Sequence, residues 1–134
     1  MIVADTNLIA YLVLPGERTA AAEAVLRADP AWAAPTLWRS ELRNVLATYV
    51  RAGRLALGDA LSMAERAEEL MAGREFSVPT EPVLALAAES ECAAYDCEFV
   101  VLARELGVRL VSADARMLEA FPDTAVAPER FAGG

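Results

Sequence analysis

The chain opens Met1-Ile2-Val3-Ala4-Asp5-Thr6-Asn7, an apolar run that ends abruptly in a carboxylate. A short unbroken apolar segment suits the centre of a parallel sheet, where both faces of a strand are covered. Ligands in open α/β sheets bind beyond the carboxyl ends of the strands. The stretch therefore predicts a buried strand that delivers Asp5 to a site. Asp5 can also be read more simply, as the N-cap of a helix starting near Asn7. Whether other acids point to the same place separates the two readings.

Outward from this stretch, short β-like runs alternate with helical patterns. Leu8, Tyr11 and Leu12 share one face of a short helix that ends at Leu14, before Pro15-Gly16. A second helix is expected from Thr19 to Arg27, a strand over Ala31 to Ala34, and a long helix capped by Thr36 and running to Arg51. Leu57 to Met71 reads as a helix with Leu61, Ala64, Glu68 and Met71 in register, followed by a strand over Phe76-Ser77-Val78. Glu81 to Ser90 is helical, and Asp96 opens a helix that closes at Gly107. A strand over Val108 to Val111, a short helix from Asp114 to Phe121-Pro122, a last strand over Thr124 to Ala127 and a loose tail complete the order. The alternation implies an α/β fold, a three-layer α/β/α sandwich around a central parallel sheet, in a single domain spanning residues 1–134.

Composition narrows the chemistry. The net charge is −8, there is no His, and all 12 basic residues are Arg. Uniform acidity argues against a non-specific nucleic-acid binder, which needs a basic face. It does not argue against a metal-dependent nuclease, whose clustered carboxylates count as negative in the bare sequence. Without Lys there is no Schiff base and no P-loop lysine; without His there is no Ser-His or Cys-His nucleophile pair. Cys92 and Cys97 lack the further soft ligands zinc would want, and read as small, buried, reduced side chains. No apolar run approaches the roughly 20 residues of a membrane helix, and no basic leader precedes the first apolar stretch, so a cytoplasmic location is expected.

The remaining acids answer the question posed by Asp5. In the helix from Leu37 the apolar stripe is Trp38, Leu42, Val45, Leu46 and Tyr49, and Glu41 lies within it. Asp96 shares a face with Phe99, Val100 and Ala103. Asp114 follows Leu110-Val111 as Asp5 follows Ile2-Val3. Each has an innocent explanation, since Asp96 and Asp114 could be N-caps and Glu41 could pair with Arg39 or Arg43. Their sum has none: several ionised carboxylates buried together need a compensating cation, and an all-oxygen donor set suits Mg²⁺ or Mn²⁺.

The series Ala4-Asp5-Thr6-Asn7, Ser40-Glu41-Leu42, Ala94-Tyr95-Asp96-Cys97-Glu98-Phe99-Val100-Val101-Leu102-Ala103 and Leu110-Val111-Ser112-Ala113-Asp114 resembles a PIN-domain protein of the VapC toxin type. The likeness extends to Phe121-Pro122-Asp123 and so covers nearly the whole chain. It implies a divalent-metal-dependent ribonuclease with Mg²⁺ or Mn²⁺ at an acidic quartet, Asp5, Glu41, Asp96 and Asp114, supported by Thr6 or Asn7 and by Ser112. It also implies products with a 5′-phosphate and a 3′-hydroxyl, a homodimer, and inhibition by a VapB-type antitoxin. One departure stands out: where some relatives carry another acid or amide after the last Asp, this chain has Arg116 and Met117. Arg39, Arg43 and Arg116 are the candidates for phosphate contacts.

Two rivals are weighed. An aspartyl phosphatase would place a second acid two residues after the first, where Asn7 stands, and needs a Lys the chain lacks. A non-catalytic PIN-like interaction module would keep the fold without turnover. Finally, a hydrophobic fraction of 56% with a mean hydropathy of +0.31 predicts apolar surface covered by a partner. The helices after Leu8 and Leu37 are expected to form a dimer face, and the Leu57 to Met71 helix a groove for an antitoxin helix that sets an Arg or Lys against the acids.

Overall fold

The computed structural model describes residues 1–133. Ile2, Val3 and Ala4 form strand β1, and all three are buried. A strand buried at every position must be covered on both faces, which fixes it in the middle of the sheet. β2 (Trp32–Pro35), β3 (Glu75–Phe76), β4 (Leu110–Val111) and β5 (Ala125–Val126) complete a five-stranded sheet in the order β3-β2-β1-β4-β5. Every pairing is parallel, with Val3 opposite Ala33 on one side and Leu110 on the other. The chain leaves β1 for β2 on one side and returns for β4 on the other. That reversal opens a crevice at the carboxyl ends of β1 and β4, where such sheets bind ligands.

Helices flank the sheet. On one side α6 (Ala94–Leu106), backed by α5 (Thr80–Ser90), lies against β1, β2 and β4. The other group comprises α1 (Thr6–Val13), α2 (Thr19–Ala28), α3 (Trp38–Arg51) and α4 (Leu57–Met71), with α4 reaching β2. The short helix α7 (Ala115–Ala120) packs on β5. No helix among the described residues is long and apolar enough to cross a membrane. The expected α/β sandwich is therefore what the chain forms.

One anchor sets the position of α3. The buried Trp38 donates its indole N–H to Glu75 Oε1 at 2.7 Å, and Arg39 grips the same carboxylate through Nε at 2.6 Å and Nη2 at 2.9 Å. The Arg39 guanidinium holds the Glu75 carboxyl below its ordinary range. A bidentate pair of this kind ties the first turn of α3 to β3.

Five expectations need correction. The third strand is Glu75–Phe76 rather than residues 76–78, because its register is set by pairing: Ala34 N donates to Arg74 O at 3.1 Å and Thr36 N to Phe76 O at 3.0 Å. Thr36 does not cap α3; Leu37 holds that position, without a side-chain bond. Along α4 the buried residues are Ala60, Ala67 and Met71, whereas Leu61 is 57% exposed. Small residues allow close packing there, so reading the larger side chains as core misplaced the stripe. The tail is not loose, since α8 (Pro128–Gly133) packs on α2, with Pro128 buried and Glu129 paired to Arg18 at 3.3 Å. Both thiols are free, but only Cys97 is buried; Cys92 sits half-exposed between α5 and α6.

Candidate active site

Asp5 leaves β1 with extended backbone and becomes the N-cap of α1, accepting from Leu8 N at 2.8 Å through Oδ1. Its other oxygen, Oδ2, accepts from Ser112 Oγ at 2.5 Å. Cap and site acid are thus one residue, and the two readings do not exclude each other. Ser112 is fully buried just past β4, and its hydroxyl also accepts from Asp114 N at 3.1 Å. A single side chain therefore links the ends of β1 and β4. Asp114 repeats the arrangement of Asp5 as N-cap of α7, accepting from Arg116 N at 2.9 Å.

The two helical acids approach from either side. Glu41, in the first turn of α3, is half-buried and accepts from Thr6 Oγ1 at 2.6 Å. Asp96 lies in the first turn of α6 and is not its cap, a position held by Ala93. All four acids, with Thr6, Asn7 and Ser112, line one pocket of about 540 Å³. The sequence reading missed Ser40, Asn44 and Tyr95 in the same wall. Asn44 stands one helical turn beyond Glu41, so spacing could have found it, whereas Tyr95 is the immediate neighbour of Asp96 on α6 and nothing in its spacing announces it.

Burial first, and crowding second, pushes these carboxyls upward. Burial raises the Asp5 carboxyl to about 6, with the charges of Asp114 and Glu41 adding and the bonds from Ser112 and Leu8 opposing. Burial also raises Glu41, helped by Asp96 and Glu98 and opposed by Thr6. Asp96 is raised by burial and by Asp114, against the pull of Arg116. Carboxylates that disfavour one another's ionisation are short of positive charge.

Of the three arginines named for phosphate, only Arg116 is near. It is exposed, with Nη2 at 3.8 Å from Asp96 Oδ2 and 3.6 Å from Asp114 Oδ2. Arg39 is committed to Glu75 and, at 3.2 Å, to Glu68, and Arg43 is exposed on α3; neither lines the pocket.

The chain between residues 2 and 122 matches the PIN domain family. The chain belongs to the PIN domain family. Among curated relatives, this PIN domain is similar to Ribonuclease VapC3 of Pyrobaculum aerophilum, 28% identical over 124 residues that cover 90% of this chain and 95% of that protein. Among solved structures it resembles PAE2754 from Pyrobaculum aerophilum, with a TM-score of 0.78, 21% identity and coverage of 99% of this chain and 97% of that one. A toxin-antitoxin complex from Klebsiella pneumoniae aligns with a TM-score of 0.68 at 18% identity, covering 96% and 98%. At these identities the solved structures bear on the PIN fold alone.

The donor set can be tested for a metal on its own chemistry. The polar side chains of the pocket offer carboxylate, hydroxyl and amide oxygens, no His exists, neither cysteine lines the wall, and the one sulfur there is the thioether of Met117. That set fits a hard divalent cation such as Mg²⁺ or Mn²⁺ and disfavours zinc. Among the described residues no three acids are gathered tightly enough to hold an ion as they stand. The mutual repulsion of the carboxylates is a physical reason for that spread, and a bound cation would have to draw them in.

Proposed function

We infer that this PIN domain is a divalent-metal-dependent endoribonuclease. The reading rests above all on the meeting of Asp5, Glu41, Asp96 and Asp114, from four separated segments, in one pocket at the carboxyl ends of β1 and β4. The match to a relative named as a ribonuclease agrees with it. A Mg²⁺ or Mn²⁺ ion held there would supply Lewis-acid polarisation of the phosphoryl oxygen and a water of lowered pKa. The chain's own residues do the rest. Ser112 fixes the Asp5 carboxylate through its hydroxyl, Thr6 does the same for Glu41, and Leu8 N and Arg116 N orient Asp5 and Asp114. These bonds hold the acids in place before substrate arrives, which is how supporting groups tune a metal site. Arg116, exposed at the mouth, can turn its guanidinium from Asp96 and Asp114 to an RNA phosphate.

The wide spacing of the acids favours one other reading, a non-catalytic interaction module. Incubation with structured RNA separates the two. The ribonuclease reading expects cleavage with Mg²⁺ or Mn²⁺ that stops with EDTA and leaves 5′-phosphate and 3′-hydroxyl ends. Cleavage that persists in chelator, or none with either ion, sinks it.

Partners belong to the same reading: an antitoxin, supported by the toxin-antitoxin complex among the structural relatives, and a second copy of the chain. Within α1, Leu8, Ile9, Ala10 and Val13 are buried in the chain's own core, which leaves Tyr11 and Leu12 as its partly exposed contribution to a dimer face. Leu57 and Leu61 on α4, the helix expected to face an antitoxin, are 64% and 57% exposed and add to the candidate apolar surface. Light scattering at micromolar concentration is expected to give a dimer that Leu61→Glu weakens. A monodisperse monomer in the parent protein would contradict it.

A further inference from the structure

A second cavity, of about 750 Å³, adjoins the acidic pocket, with Asn7 and Val45 in the walls of both. Its character is the opposite. Arg18 lies over the Tyr11 ring at 5.1 Å from the ring centre, and Arg54 over Tyr49 at 5.3 Å. All four residues line the cavity, against a single acid, Glu17. Arg54 has no acidic partner among the described residues, and Arg18 shares only an exposed pair with Glu129 at 3.3 Å, which a phosphate can displace. In a chain of net charge −8, where Arg39, Arg74, Arg104 and Arg109 are engaged in structural bonds, two guanidiniums stacked on tyrosines in one cavity beside the acids suit an anionic ligand.

We propose that this cavity is the subsite that holds the RNA next to the cleaved bond, with Arg18 and Arg54 on its phosphates and Tyr11 and Tyr49 stacking a base. The inference rests on the ribonuclease reading and extends it. Aromatic faces interleaved with cations bind single-stranded nucleic acid without reading its sequence, because every base has a π face. The arrangement also resolves the awkward charge of the chain. An enzyme whose active pocket repels phosphate gains its RNA affinity from a neighbouring site, and the shared wall at Asn7 makes the two continuous. Tyr11 and Asn7 come from α1, which Asp5 caps, so one helix serves both cavities.

The test is fluorescence anisotropy with a labelled single-stranded RNA of roughly 12 nucleotides, in EDTA so that binding is read without cleavage. Replacing both Arg18 and Arg54 by Ala is expected to weaken binding at least about tenfold and to make the salt dependence shallower by about 1.4, near 0.7 for each lost contact. Tyr49→Leu is expected to cost at least about fivefold. Both exposed arginines can be replaced without touching the core, and a matching circular dichroism melt verifies the fold. A parent that does not bind this RNA, or a double variant that binds it with unchanged affinity and salt slope, overturns the proposal. Unchanged RNA binding combined with lost co-purification of the neighbouring gene's product overturns it in favour of a protein groove. Intact binding differences in a protein that cleaves nothing with Mg²⁺ or Mn²⁺ would sink the ribonuclease reading and leave the subsite standing.

Discussion

Asp5→Asn and Asp96→Asn are each expected to lower metal-dependent RNA cleavage by at least about 10³-fold, because each removes a charge from the donor set on which the reaction would depend. The fold should survive both. At position 5, Asn is as good an N-cap as Asp, and its amide can still accept from Leu8 N while donating to Ser112. Asp96 accepts no hydrogen bond that an amide would lose, and only the weak pull of exposed Arg116 disappears. Rates measured beside far-ultraviolet circular dichroism distinguish lost chemistry from lost structure. Variants that fold and keep parental rates would show that these acids are caps and nothing more.

The second large effect runs the other way. Removing metal should leave a protein that Asp5→Asn makes more stable near neutral pH. The sign follows from the Asp5 carboxyl, which lies at about 6 in the fold against an ordinary 3.8. The folded chain therefore holds this proton more tightly than the unfolded chain does. Below the ordinary value both states are protonated and no cost arises. As pH climbs through the interval the unfolded chain ionises first, and stability falls until the folded carboxyl ionises too. At about 1.4 kcal/mol per pH unit the full cost approaches 3 kcal/mol, so the amide should gain about 1 to 3 kcal/mol at pH 7.5. For a chain of this size that is a rise of several degrees in Tm. The gain should vanish near pH 3.5, and the extra stability that Mg²⁺ gives the parent should shrink in the variant. A lower Tm at pH 7.5, or an equal gain at both pH values, would show that the carboxylate stabilises the apo fold.

The sequence carried the layer order and the acids because both follow from covalent-range signals. Ile2-Val3-Ala4 is apolar without alternation, as a central parallel strand requires, and Glu41 and Asp96 reveal themselves by interrupting apolar helix faces. What it did not carry depends on partners distant along the chain. Glu75–Phe76 is a strand only because Ala34 and Thr36 pair with it, and a run of two residues has no period of its own. Along α4, Ala60 and Ala67 take the core positions because the helix lies close to its neighbours, and hydrophobicity alone prefers Leu61. Arg39 looked free to meet phosphate for the same reason: nothing local announces its carboxylate partner, 36 residues ahead. The cavity at Tyr11, Arg18, Tyr49 and Arg54 stayed hidden likewise, since it joins α1 to the far end of α3.

Direct titration of Mn²⁺ into the metal-free protein by calorimetry is the closest test of the acidic site. The parent should bind saturably at pH 7.5, more weakly at pH 5 where Asp5 keeps its proton, and at least about tenfold more weakly in Asp5→Asn and Asp96→Asn. Equal Mn²⁺ affinity in parent and variants, or RNA cleavage by a parent that binds no metal, would contradict the account.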